Sequence, residues 1–105
     1  MPFRSVIVGS GSCIPPQRVS NQDLIGRDFW GADCKRIAKP NAEILAQFEA
    51  ITGIRERRYA DDSQVASDLA AEAARDALSS SGVDKEELDT IVVAHNFGDV
   101  PKGSR

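Results

Sequence analysis

Hydrophobic positions follow two different rhythms along the chain. Val6-Ile7-Val8 and Ile91-Val92-Val93 are short unbroken β-branched runs. That is the pattern of strands covered on both faces, as in a parallel sheet, and it predicts strands over Ser5 to Val8 and Thr90 to Ala94. From about Gln64 to Ser80 the period becomes helical. Val65, Ala66, Leu69, Ala70, Ala73, Ala74, Ala77 and Leu78 recur every three or four residues, with Asp68, Glu72, Arg75 and Asp76 opposite. A face so rich in alanine lets neighbouring backbones approach closely, which marks this helix as deeply buried. A second helix is predicted from Ala42 to Ile51, with Ile44, Leu45, Phe48 and Ile51 on one face, Asn41 as N-cap and Gly53 as its C-terminal glycine.

Polar signals divide the remainder. Ser20-Asn21-Gln22-Asp23 is a capping box opening a short helix through about Arg27, and Asp84-Lys85-Glu86-Glu87 is another, for one turn closing at Leu88. Gly82 ends the alanine-rich helix. Gly9-Ser10-Gly11-Ser12 breaks the first aliphatic run, and Pro15-Pro16 forces an extended segment. Ile54 to Tyr59 is charged and extended. Residues 28–40 read as loop with one helical turn, and the chain from Asn96 onward reads as loop. The order strand, helices, strand is an α/β arrangement with a partial parallel-type sheet. Two strands that both need cover cannot complete a sheet of their own. Further strands must come from a longer chain or from a partner. The final Pro101-Lys102-Gly103-Ser104-Arg105 reads as a cut inside a loop, with Arg105 as a trypsin-type cleavage point.

Composition narrows the function classes. Hydrophobic content of 41% and charged content of 28% are those of a globular chain rather than a disordered one. A net charge of -3 excludes nucleic acid as the main partner, since phosphate neutralisation needs a Lys/Arg excess on one face. No stretch approaches the roughly 20 apolar residues of a membrane span, and there is no secretory signal. Cys13 and Cys34 fit neither a CxxC nor a zinc spacing, so the expectation is two reduced thiols in a cytoplasmic protein with no metal.

Several residues invite chemistry and fall short of it. A dinucleotide fingerprint after the first strand would need glycine at Ile14 and a helix where Pro15-Pro16 stand, so Gly9 and Gly11 read as a tight packing turn. A nucleophilic set of Cys13 or Cys34 with His95 and Asn96 fails because neighbours in an extended chain point to opposite faces. His95 sits at the carboxyl end of a predicted parallel strand, where α/β folds place ligands, but a strand-end cap is the simpler reading. Glu43, Glu49, Asp61 and Asp62 read as solvated carboxylates or caps.

Three stretches, in order and in register, resemble the start of β-ketoacyl-ACP synthase III. Val6-Ile7-Val8-Gly9-Ser10-Gly11 through Pro15 to Val19-Ser20-Asn21-Gln22-Asp23-Leu24 is similar to the family's strand, G-x-G-x-x-x-P and V-x-N-x-D-L. Thr52-Gly53-Ile54-Arg55-Glu56-Arg57 resembles T-G-I-x-x-R, the most specific of the three. The alanine-rich helix ending at Gly82, with Asp89-Thr90-Ile91-Val92-Val93-Ala94, resembles A-x-x-A-L-x-x-A-G leading to I-D-x-I-V-V-A. Extra residues stand around positions 28 to 42.

The resemblance implies that residues 1–105 are the N-terminal part of the first half of a thiolase-like fold, in a cytoplasmic homodimer. It implies an acyltransferase of fatty-acid or related biosynthesis that joins an acyl thioester to malonyl-ACP. The partners are then acyl carrier protein and acyl-CoA or another thioester, with no further cofactor. The family's active cysteine follows the present C-terminus and its His and Asn lie in the second half. No catalytic residue is therefore assigned in this chain, which alone should be inactive. Thr52 matches a family position at the coenzyme A entrance, whereas Ile51 and Gln47 stand where the family has an arginine and a tryptophan. Arg55 and Arg57 fit salt bridges anchoring an extended segment as well as they fit ligand contacts. The alternative is a non-catalytic thiolase-like subunit that completes a heteromeric partner.

Overall fold

Strand pairing among the described residues occurs in charged segments and not in the aliphatic runs. The computed structural model describes residues 2–101 and residue 103, so Lys102, Ser104 and Arg105 of the expected cleavage loop lie outside the described residues. Two compact units are present, one from Pro16 to Tyr59, the other formed by the residues up to Pro15 with those from Ala60.

In the first unit, β1 (Gln17–Ser20) pairs antiparallel with β2 (Glu56–Tyr59), Gln17 opposite Tyr59 and Ser20 opposite Glu56. The extended reading of Ile54 to Tyr59 thus holds. The Ser20–Asp23 box forms as expected. The Ser20 N–H donates to the Asp23 carboxylate at 2.8 Å and the Asp23 N–H to Ser20 Oγ at 3.2 Å. It opens only a 3-10 turn, Gln22–Leu24, rather than a longer helix.

Helix α1 spans Asn41–Thr52. Pro40, not Asn41, is its N-cap. The Asn41 amide instead donates to the carbonyls of Ile25 and Arg27 at 2.7 and 2.8 Å, tying the helix start to the preceding turn. Ile44 and Leu45 are buried, and Phe48 meets Phe29 edge-to-face at 5.5 Å. Ile51 stays 74% exposed, so the expected apolar face is covered only along its first turns. Gly53 ends the helix at φ 69, its N–H bonded to the Glu49 carbonyl, as the sequence indicated.

Residues 28–40 hold no helical turn. Trp30 and Arg36 form an antiparallel bridge, the Gly31 N–H donates to the Lys35 carbonyl, and Asp33 Oδ1 accepts from the Lys35 N–H. An aspartate bonding two residues ahead folds the chain into a tight loop, which competes with helix.

In the second unit, α2 spans Ala66–Ser81 and ends at Gly82 with φ 69. The close-approach reading of its alanine face is borne out. A Cβ on Gly9 would lie 2.6 Å from Ser81 Cβ and 2.8 Å from the Ala77 carbonyl oxygen. One on Gly11 would collide with the backbone of Ala73 and Ala77. Ser12 N–H donates to the Asp76 carboxylate at 3.1 Å, fastening the same loop. Deep burial is corrected, however, because no residue of α2 is buried. Within its unit the glycine loop covers part of the helix, and no sheet among the described residues lies across the rest. After α2, Asp84 accepts from the Glu86 N–H and caps a 3-10 turn, Lys85–Glu87.

The chain is therefore mixed α/β, and its described sheet is a two-stranded antiparallel one. Neither expected parallel-type strand is paired. Both aliphatic runs lie open, with Ile7 92% and Val92 88% exposed. A strand is defined by the ladder that a neighbour supplies, and these runs find none among the described residues.

Candidate functional site

The segment after α1 is built by caps. The Thr52 hydroxyl donates to the Phe48 carbonyl at 2.7 Å and accepts from the Ile54 N–H at 3.1 Å, bridging the helix end to the chain beyond Gly53. Arg55 Nε pairs with Glu49 Oε1 at 3.1 Å on an exposed surface. Arg57 Nη2 donates to Asn21 Oδ1 at 2.7 Å, and the Asn21 amide donates to the Ile54 carbonyl at 2.8 Å. Arg55 thus makes the expected salt bridge, whereas Arg57 is held by a neutral side-chain amide instead of a carboxylate. An open cleft of about 450 Å³ lies over Ala46, Glu49, Ala50, Gly53 and Arg55.

A second cleft, of about 310 Å³, belongs to the other unit and is lined by Ala66, Ser67, Ala70, Val93, Ala94, His95, Gly98 and Asp99. Its floor is apolar and its polar end is made by Ser67, His95 and Asp99. The Ser67 N–H and hydroxyl donate to the two Asp99 carboxylate oxygens at 2.8 and 2.7 Å. Those two bonds, the hydroxyl's first and then the amide's, hold the Asp99 carboxyl below its ordinary value against slight desolvation, and the charge of His95 adds to them. Asp23 is lowered likewise by the Ser20 N–H and hydroxyl.

His95 therefore lines a cleft, whereas Asn96 and Cys13 do not line it. Cys13 is a free, half-buried thiol and Cys34 a free, exposed one at φ 60. Among the described residues no group of three or more His, Cys, Asp or Glu side chains could hold a metal ion. No described helix is long and apolar enough to cross a membrane. The Ser67–Asp99 pair was not foreseeable from spacing, since its members stand 32 residues apart.

No protein-family model matches the chain, and no solved structure matches it. Curated proteins do. Over 94 residues, or 90% of the chain, it is 40% identical to the β-ketoacyl-[acyl-carrier-protein] synthase III of Rhodospirillum centenum. Over that stretch the chain is similar to a β-ketoacyl-ACP synthase III. It spans about a quarter of the length of that curated relative, 25%. Two of the stretches that resemble synthase III meet in the structure. The V-x-N-x-D-L stretch supplies β1 and Asn21, and T-G-I-x-x-R supplies the α1 cap, β2 and Arg57.

Proposed function

We propose that residues 1–105 form the N-terminal part of the first thiolase-like half of a condensing enzyme of the synthase III type. The 40% identity over 94 residues carries this reading, and the joining of the two motif stretches through Asn21 and Arg57 supports it. In the full-length protein an acyl group would pass from a thioester to a cysteine beyond residue 105, releasing the donor thiol. Malonyl-ACP would then lose carbon dioxide, and the resulting carbanion would displace the cysteine sulfur to give β-ketoacyl-ACP. The reading includes a cytoplasmic homodimer, with acyl carrier protein as partner, in fatty-acid or related biosynthesis.

Thr52 is proposed to border the coenzyme A entrance, beside the open cleft over Gly53 and Arg55. Ile51 and Gln47 offer neither a guanidinium for phosphate nor an indole for adenine. The favoured donor is therefore a thioester other than a simple acyl-CoA, or one carrying a specialised β-keto acid.

The test incubates full-length protein with malonyl-ACP and a panel of acyl thioesters, following carbon dioxide release and the mass of the acyl-ACP product. Turnover with at least one donor is expected, and none from the 105-residue chain alone. A stable heteromer that turns over no thioester would favour the non-catalytic subunit instead.

A further inference from the structure

Helix α2 begins without a capping side chain of its own. Val65, at the N-cap, has no side-chain acceptor. Asp68 accepts from the Val65 N–H at 2.8 Å and its own N–H donates to the Val65 carbonyl at 3.0 Å, which leaves the Ala66 and Ser67 donors without a partner in the helix. Asp99 meets one of them from a distance, taking the Ser67 N–H at 2.8 Å and the Ser67 hydroxyl at 2.7 Å. A carboxylate is well suited here, since it accepts both bonds at once and its charge complements the helix N-terminus.

The segment behind Asp99 is shaped to deliver it. Gly98 stands at φ 66, a conformation that side chains rarely adopt, and an added Cβ would lie 3.5 Å from the His95 ring. Val93, Ala94 and His95 line one cleft with Ala66, Ser67 and Ala70. The contact is thus made where the exposed aliphatic run ends.

We infer that Asp99 is a positioning residue, whose two bonds to Ser67 fasten residues 93–99 to the first turn of α2 and set where His95 and the following chain stand in the working enzyme. This rests on the synthase III reading above, in which the nucleophile lies downstream of that chain. Both Asp99 carboxylate oxygens are taken up by Ser67, so the effect is on the placement of the reacting groups. Small misplacements of that kind cost turnover more than binding.

The test compares Asp99→Leu, Asp99→Asn, Ser67→Ala and Ser67→Thr in the full-length protein by amide hydrogen exchange and steady-state kinetics. Leu removes both acceptors. Asn keeps both bonds, accepting from the Ser67 N–H through Oδ1 and donating to Oγ through its amide. Asp99→Leu should speed exchange of the Ser67 amide by roughly tenfold. It should also lower kcat by about tenfold or more while KM stays within about twofold. Asp99→Asn and Ser67→Thr should restore most of both, which also guards against a leucine variant that misfolds. Unchanged Ser67 exchange in Asp99→Leu, or faster exchange with unchanged kcat, would overturn the inference. Absence of turnover in the wild type would instead defeat the synthase reading, while Ser67 exchange would still decide whether Asp99 holds the segment.

Discussion

Asn21 and Arg57 lock two distant stretches of the chain together, Asn21 Oδ1 accepting from Arg57 Nη2 at 2.7 Å across 36 residues. The same asparagine receives Arg57's strand by donating to the carbonyls of Ile54 and Arg55 through its side chain and backbone. The arginine of T-G-I-x-x-R and the asparagine of V-x-N-x-D-L are therefore two ends of one contact. Arg57 is half-buried, so its charged bond is screened less than a surface pair would be.

Arg57→Ala in the full-length protein should cost about 1.5–3 kcal/mol, the range for a hydrogen bond to a charged group. Combined with Asn21→Ala, the losses should be non-additive by about 0.5 kcal/mol or more in a double-mutant cycle followed by denaturant unfolding. Additive losses would mean that the two residues act separately.

Gly11→Ala should destabilise by roughly 1–3 kcal/mol, because the new methyl meets the backbone of α2 rather than a movable side chain. Gly26→Ala is the control, with nothing within 4 Å of the added Cβ, and should leave the melting temperature nearly unchanged. Equal effects at both positions would contradict the close approach of the glycine loop to α2.

At the α1 end, Gly53→Ala should cost about 1–2 kcal/mol for placing an L side chain at φ 69. Thr52→Val should destabilise as well, by removing both bonds that join α1 to Ile54. If Thr52 also borders a thioester entrance, Thr52→Ser should keep stability and change only the KM for the donor.

Acid should weaken two contacts in particular. Asp23 and Asp99 both have carboxyls held below 3.8 in the folded chain by serine hydrogen bonds. A carboxyl depressed on folding contributes stability in full above its unfolded value, and that contribution is lost as pH falls through the folded value. Asp23→Asn and Asp99→Asn should therefore each flatten the stability profile below about pH 3.8 and leave its slope near neutrality unchanged. Stability curves from denaturant titrations at several acid pH values check this.

What could be read from sequence was what the chain settles locally. The ends of α1 and α2 follow from Gly53 and Gly82, and the Ser20–Asp23 and Asp84 caps follow from side chains within three residues of their donors. Alanine spacing foretold the close approach of a neighbouring backbone, though not how little would cover the rest of the helix. Strands were harder, because the aliphatic runs need neighbours to become strands. The actual pair, Gln17–Ser20 with Glu56–Tyr59, has too few apolar residues to announce itself. The Asp99 cap left no trace for a similar reason, since its partner is distant in sequence. At the site, the motif residues were legible, but their contacts with one another were not.

Val6-Ile7-Val8 and Ile91-Val92-Val93 find no covering strand among the described residues, where only Ile44 and Leu45 form a buried apolar core, and they need further polypeptide to cover them. Differential scanning calorimetry of the isolated 105-residue chain, with its mass in solution checked by sedimentation, tests this most directly. The expected result is a monomer without a sharp heat-absorption peak, or a self-associating species that hides these runs. A monomer that unfolds in one cooperative transition, absorbing the roughly 70 kcal/mol typical of a complete domain of this size, would contradict it.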